Sequence, residues 1–379
     1  MKPSAEPPVR RFSRWLHRWF GLTVGVVFVL LGLSGSYLAY RDVWGPAFDD
    51  QPSARSGELA REFSLAEWVK TARAESGLAS DPLSVRLPEQ PGRALEVTFN
   101  RNPGAGGPGG PGGNDPWAVY LDPATGAYLG ATAPRETFTG VLYAFHHDLF
   151  LGSTGKTALA GIGWTLMVLL AVGLLLAWPR TGGWRGLLQK PSFSNTSIFH
   201  TRFGIYSLGL LAIVTGSGAF IARSDWFLGP RPVPPSVRSG SKDTGGMDFA
   251  RFDAALAREA IPVQGAWIRR DRRTGAWTVS TGQGEGDSLR RYRYDPGTGA
   301  LAQEVPTAPR GGRAVGVFLH DLHEGKVGGP LGRALIFLSG WLPLAFYGTG
   351  VLIWWRRRAG QGRRAATLGM KSRLQESRQ

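Results

Sequence analysis

The chain has 379 residues, enough for two or three compact domains or for a membrane bundle carrying extramembrane lobes. Its net charge of +16 invites a nucleic-acid reading, but the basic residues flank hydrophobic blocks in short stretches, so nucleic acid is excluded as a partner. The lack of cysteine excludes disulfides, thiolate metal sites, iron–sulfur clusters and covalently attached c-type haem.

Residues 1–40 open with Arg10, Arg11, Arg14 and Arg18 and run into an apolar block from Phe20 to Tyr40. This block is about as long as a bilayer crossing requires, roughly 20 residues. It is longer than a signal peptide's apolar core and no small-residue cleavage site follows, so it is predicted to stay as an anchor. Residues 41–156 read as an extramembrane lobe, with a capped helix from Ser64 to Gly77 and strands at Leu83 to Leu87, Leu95 to Phe99 and Trp117 to Leu121. The stretch Asn102 to Asn114 is glycine-rich, but it lacks the lysine and helix start of a phosphate-binding loop and reads as a flexible insertion.

A second span, 157–178, leads to a basic loop, 179–202, with Arg180, Arg185, Lys190 and Arg202. A third span, 203–222, precedes a second lobe, 223–333, with a helix from Asp248 to Ala260 and strands at Ala266 to Arg270, Ala276 to Ser280 and Arg290 to Tyr294. The fourth span, 334–355, ends in a tail, 356–379, that carries Arg356, Arg357, Arg358, Arg363 and Arg364. Positive charge in short loops and tails marks the cytoplasmic side. Both termini are thus predicted to lie inside and both lobes outside, in the periplasm of a bacterial inner membrane.

The two halves repeat. His17 is followed by Gly21, Ser34, Gly35 and Asp42 at the same offsets as His200 by Gly204, Ser217, Gly218 and Asp225, and FHHDLFLGSTG matches FLHDLHEGKVG with His147 aligned to His320. Each lobe closes with a DPxTG turn, in which Asp122 or Asp295 caps, Pro123 or Pro296 fixes φ, and Gly126 or Gly299 takes a positive φ before another strand. The predicted fold is a four-helix transmembrane bundle from a tandem repeat, with two periplasmic α+β lobes and a pseudo-two-fold axis along the membrane normal.

The six histidines form two clusters, His17 with His200 at the inner ends of spans one and three, and His146, His147, His320 and His323 at the outer approaches to spans two and four. Symmetry sets His17 opposite His200 and His147 opposite His320, the arrangement for two axial imidazoles on one iron. Glycines in the spans open slots for a macrocycle. Arg14, Arg18 and Arg202 inside, and Arg41, Lys156, Arg223 and Arg333 outside, are candidates for the propionates. Two b-type haems, one near each face, imply a wire carrying electrons outward to an acceptor held by the lobes, where Trp117, Trp226, Trp267 and Trp277 are candidate lining residues.

WLHRWFGL, HHDLFLGSTG, LHDLHEGKVGGPLGR, the closing GTGVLIWWRRR and the paired DPxTG turns resemble the PepSY-associated transmembrane family, with PepSY-like lobes, from about Arg11 to Arg358. Within that family the chain is similar to FoxB-type inner-membrane di-haem reductases that release iron from ferric siderophores. The resemblance implies His17, His200, His147 and His320 as haem ligands, with His146 and His323 as substitutes or substrate-side residues. It also implies a ferric siderophore or other periplasmic acceptor, and quinol or a separate reductase as donor. A rival reading places a metal ion among Asp148, Asp321, Glu324, His147, His320 and His323, and another makes the lobes a non-catalytic peptide or protease partner.

Overall fold

The computed structural model describes residues 7–49, 51–54, 64–89, 92–102, 115–178, 195–229, 247–271, 276–281, 290–304 and 311–376, with side chains to 360. The glycine-rich insertion, most of the basic loop between the second and third spans, and the side chains of Arg363 and Arg364 lie outside the described residues.

Four helices are long and apolar enough to cross a membrane. They are α1 (Pro8–Ala39), α5 (Gly152–Ala177), α6 (Thr196–Ala222) and a fourth built from α10 (Gly329–Ser339) and α11 (Leu342–Glu376). The first and third begin earlier than their apolar runs, so the flanking arginines sit on helix and not on loop. The fourth is interrupted at Gly340 and Trp341, just before Pro343, which has no N–H to continue the ladder. The interruption is packed against α1. A Cβ on Gly32 would stand 2.5 Å from the Gly340 carbonyl oxygen, and Ser36 Oγ donates to the Phe337 carbonyl at 2.5 Å. Such close backbone approach needs glycine on both sides.

Short helices join the spans to the sheet. These are α2 (Arg41–Phe48), α4 (Phe138–Asp148), α7 (Asp225–Leu228) and α9 (Gly312–His323). The lobe helices are α3 (Leu65–Ser76) and α8 (Phe249–Arg258). Ser64 Oγ accepts the Glu67 N–H, Gly77 closes α3 with φ 67°, and Asp248 accepts the Arg251 N–H at 3.0 Å. The strands are β1 (Ser84–Arg86), β2 (Leu95–Asn100), β3 (Pro116–Leu121), β4 (Tyr128–Thr132), β5 (Trp267–Arg270), β6 (Trp277–Thr281), β7 (Arg290–Asp295) and β8 (Ala300–Glu304). The two DPxTG turns form as expected. Asp122 Oδ1 accepts from Ala124 and Thr125, Asp295 Oδ1 accepts from Gly297, and Gly126 and Gly299 have φ of 70° and 71°.

The two expected lobes are a single one. The strands form one antiparallel sheet in the order β4-β3-β2-β1-β5-β6-β7-β8, joined where Ser84, Val85 and Arg86 pair with Arg269, Ile268 and Trp267. Both lobe helices cover the same face, and Leu65, Trp68, Val97 and Phe99 share a core with Phe252, Ile268, Trp277 and Val279. Alternation places the apolar residues of every strand on that face. Fusion replaces two small cores by a larger one and pairs a β1 edge that would otherwise be open.

The halves also interlock through a carboxylate. Asp253 of α8 accepts the N–H groups of Leu65 and Ala66 at the start of α3, both at 2.9 Å. Burial outweighs those bonds and pushes its carboxyl up to about 6. A raised folded-state value means the native lobe holds this proton more tightly than the unfolded chain. Its contribution is therefore present below the ordinary value of 3.8 and is lost as pH rises to about 6. Thermal melts from pH 3.5 to 7 are expected to show Asp253→Asn gaining on the wild type as pH rises through that window. A constant difference between the two proteins would show that Asp253 does not titrate there.

Candidate functional site

Two cavities lie inside the bundle, of about 810 Å³ toward the sheet and about 940 Å³ toward the termini, sizes typical of small-molecule sites. Phe28, Leu211 and Pro343 line both, so a single layer of side chains divides them. Each cavity is lined by a facing histidine pair.

In the cavity near the termini, the rings of His17 and His200 have centres 6.4 Å apart and are nearly perpendicular. His17 rests against Gly173 of α5, where a Cβ would come within 3.0 Å of its Cε1, and His200 lies beside Gly350 of α11. Thr349 Oγ1 donates to the Ala345 carbonyl and accepts from His200 Nδ1 at 2.7 Å. The His17 ring lies against the Leu169 backbone, but its buried Nδ1 closes no hydrogen bond. Arg10, Arg11, Arg14, Arg18, Arg357 and Arg358 line this cavity. Arg18 was expected there, whereas Arg202 is not among the lining residues.

In the cavity near the sheet, the pair brought face to face is His146 and His323, not His147 and His320. The ring centres of His146 and His323 are 6.2 Å apart. Their surroundings match residue for residue. His146 Nδ1 lies 3.0 Å from both the Leu31 carbonyl and Ser34 Oγ, with Gly35 under the ring. His323 Nδ1 lies 3.0 Å from the Val214 carbonyl and 3.2 Å from Ser217 Oγ, with Gly218 under the ring. A carbonyl can only accept, so Nδ1 carries the proton and Nε2 keeps its lone pair for the cavity. Burial, and next the neighbouring His323, pushes His146 down to about 4; burial lowers His323 as well. Both rings are therefore neutral near pH 7.

Adjacent helical residues point about 100° apart, so only one of His146 and His147 can face inward. His147 stacks on Tyr143 at 5.1 Å and stands 3.8 Å from Asp148, with its side chain 43% exposed. His320 is 48% exposed and pairs with Glu324 at 3.4 Å. Both stand at the cavity margin, with Arg41, Lys156 and Arg333. Arg333 is tied to Asp42 and to the Ala39 carbonyl, while Arg223, expected here, pairs with Asp225 at 2.7 Å. No three histidines or carboxylates converge on a metal-sized point among the described residues. Trp277 belongs to the lobe core, packed on Phe249 and Phe252, and Trp117 lies partly buried against that core under Arg101. Trp226 and Trp267 are exposed.

The fold and site define an integral membrane protein with four candidate spans, one buried imidazole pair on two of those spans and a second on the short helices that join the bundle to one antiparallel sheet. The chain belongs to the family described as the PepSY-associated TM region, whose model matches residues 14–357. No curated protein matches the chain.

Proposed function

We propose that this is a di-haem b-type electron-transfer protein of the bacterial inner membrane, built from a duplicated half and carrying electrons from the cytoplasmic side to a periplasmic acceptor. The acceptor best suited to it is a ferric siderophore, which the protein reduces to release iron. The observation that supports this reading most is the pair of facing imidazole sets, 6.4 and 6.2 Å between ring centres. Two imidazoles that each bind one metal at about 2 Å, with each ring centre about 1 Å beyond its nitrogen, stand about 6 Å apart.

The surroundings fit haem better than a bare ion. Each cavity offers one facing pair of imidazoles, together with glycines that leave room beside the rings and apolar helix faces for a macrocycle. His17 and His200 would hold one iron and His146 and His323 the other, with the arginines of α1 and α11 near one set of propionates and Arg41, Lys156 and Arg333 near the other. When bound, haem would supply one-electron redox chemistry. The chain orients His146, His200 and His323 through Nδ1, and Phe28 and Leu211 separate the two cavities. Along α1, His17 to Gly35 rises about 27 Å at about 1.5 Å per residue, close to the roughly 30 Å of the hydrocarbon core.

The arginine-rich terminal face supports this direction, since basic flanks favour the cytoplasm and the sheet would then lie in the periplasm. Electrons enter from quinol or a separate reductase. Ferric iron is held far more tightly than ferrous by the hard oxygen donors of a siderophore, so one electron frees the metal and leaves the ligand intact. Protein purified in detergent is expected to show a Soret band and about two haems per chain by pyridine haemochrome, and after dithionite reduction to be reoxidised by ferric siderophore. A folded but colourless preparation sinks the proposal.

A further inference from the structure

The sheet face that looks at the bundle is identified by the segment after α2. The Asp49 carboxylate accepts the backbone N–H of Thr139 in α4 at 2.8 Å, and its charge acts on the Tyr120 hydroxyl, which lies on the side of β3 away from α3 and α8. Pro52 lies on the same side, 3.4 Å from where a Cβ on Gly130 would stand. The face of the sheet opposite α3 and α8 is therefore the one that meets the segment leaving the bundle.

On that face, at the β1–β5 seam, Arg86 pairs across strands with Trp267, and Ser84 with Arg269. The guanidinium carbons of Arg86 and Arg269 lie 5.5 and 4.7 Å from the Trp267 ring centre. Trp267 pairs in turn with Ser280, and Ser280 with Arg291. Among the described residues, Arg86, Arg269 and Arg291 form no ion pair. Glu96, opposite Arg86, accepts the Thr98 hydroxyl at 2.9 Å, and Glu304 is held by Arg293 at 2.6 Å. The seam is where the two halves meet in the sheet, and His146 with His323 is where they meet in the bundle.

We infer that Arg86, Arg269 and Arg291, grouped about Trp267, bind the carboxylates of an anionic ferric chelate and hold it over the His146–His323 end of the bundle. This rests on the reading of the acceptor as a ferric chelate and narrows it to carboxylate-bearing ligands. Guanidinium forks match carboxylates in two-point geometry, and stacking on one indole fixes two of the forks before the ligand arrives. A neutral trihydroxamate complex offers these forks nothing to grip, and the cationic rim of the cavity below favours the same sign of ligand.

The test uses the full chain in detergent and Ga(III)–citrate, which carries the charge of a ferric chelate but takes no electron. By calorimetry it is expected to bind at least about tenfold more tightly than a neutral Ga(III) trihydroxamate, with an affinity that falls as salt rises. Arg86→Gln combined with Arg269→Gln is expected to weaken binding about tenfold, and Arg291→Gln alone to weaken it in the same direction. Equal affinity for the two chelates, or for metal-free citrate, overturns the inference, as does unchanged affinity in the double variant. If the double variant melts early, Arg291→Gln decides, since that side chain is exposed. Because gallium binding needs no redox step, a colourless protein that still binds Ga(III)–citrate would count against haem and not against this site.

Discussion

Alanine at His146 or at His323 is expected to halve the haem content of the purified protein, leaving only the pair formed by His17 and His200. Alanine at His147 or His320 is expected to leave both haems in place. The contrast follows from burial and hydrogen bonding. His146 and His323 are enclosed, with Nδ1 committed to a backbone carbonyl and Nε2 left for the cavity. His147 and His320 are half exposed and engaged with Asp148 and Glu324. Pyridine haemochrome on the four variants measures the outcome directly. A full complement in His323→Ala together with loss in His320→Ala would restore the pairing expected from the repeat and overturn the one described.

The second large effect concerns the lobe. Phe252→Ala is expected to destabilise it by about 3–5 kcal/mol, the usual loss when a large aromatic core side chain is removed. Phe252 is fully buried and packs on Trp277 and on Tyr294, 4.4 Å between ring centres for the latter. Because first-half and second-half residues share that core, the loss should reach the strands of the other half. Amide hydrogen exchange at Val97, Phe99 and Val119 is expected to speed up in the Phe252→Ala protein. Unchanged protection there, with faster exchange confined to β5 to β8, would mean that the two halves unfold independently.

Local features were legible because local chemistry makes them. The capping residues Ser64 and Asp248, the capping role of Asp122 and Asp295 in the turns, and the alternation in β2, β3, β6 and β7 were all visible as residue patterns, and each cap is satisfied by neighbours within a few positions. The fusion of the sheet was not visible. The β1–β5 seam rests on three residues from each strand, and nothing in SVR or WIR marks which distant edge they meet. The break in the fourth span has a local signal in Pro343, whereas the close approach of Gly340 to Gly32 that accompanies it involves another helix and left no mark in the sequence.

The candidate site was half legible. His17 and His200 occupy equivalent places on equivalent helices, and the repeat brought them together correctly. At the other end it aligned His147 with His320 and so missed the facing pair. The helices before the second and fourth spans end differently. α4 stops at Asp148, followed by Leu149 and Phe150 with positive φ, while α9 runs on to His323. In the alignment His146 matches Leu319, and His323 lies four residues beyond Leu319, one turn along the same helical face. Sequence offset therefore misjudged the turn while the face stayed the same. Arg357 and Arg358 line the cavity near the termini although their position read only as topology, because α11 stays helical past the apolar run.

The seam between β1 and β5 also sets an order of assembly. β1 is an interior strand of the finished sheet, yet it is synthesised long before its second neighbour, with two membrane crossings between them. Until β5 arrives, one edge of β1 carries unanswered backbone donors and acceptors, and the apolar side of the first four strands lacks α8. The newborn first half is consequently a sticky half-sheet whose safety depends on how soon the second half reaches the same side of the bilayer.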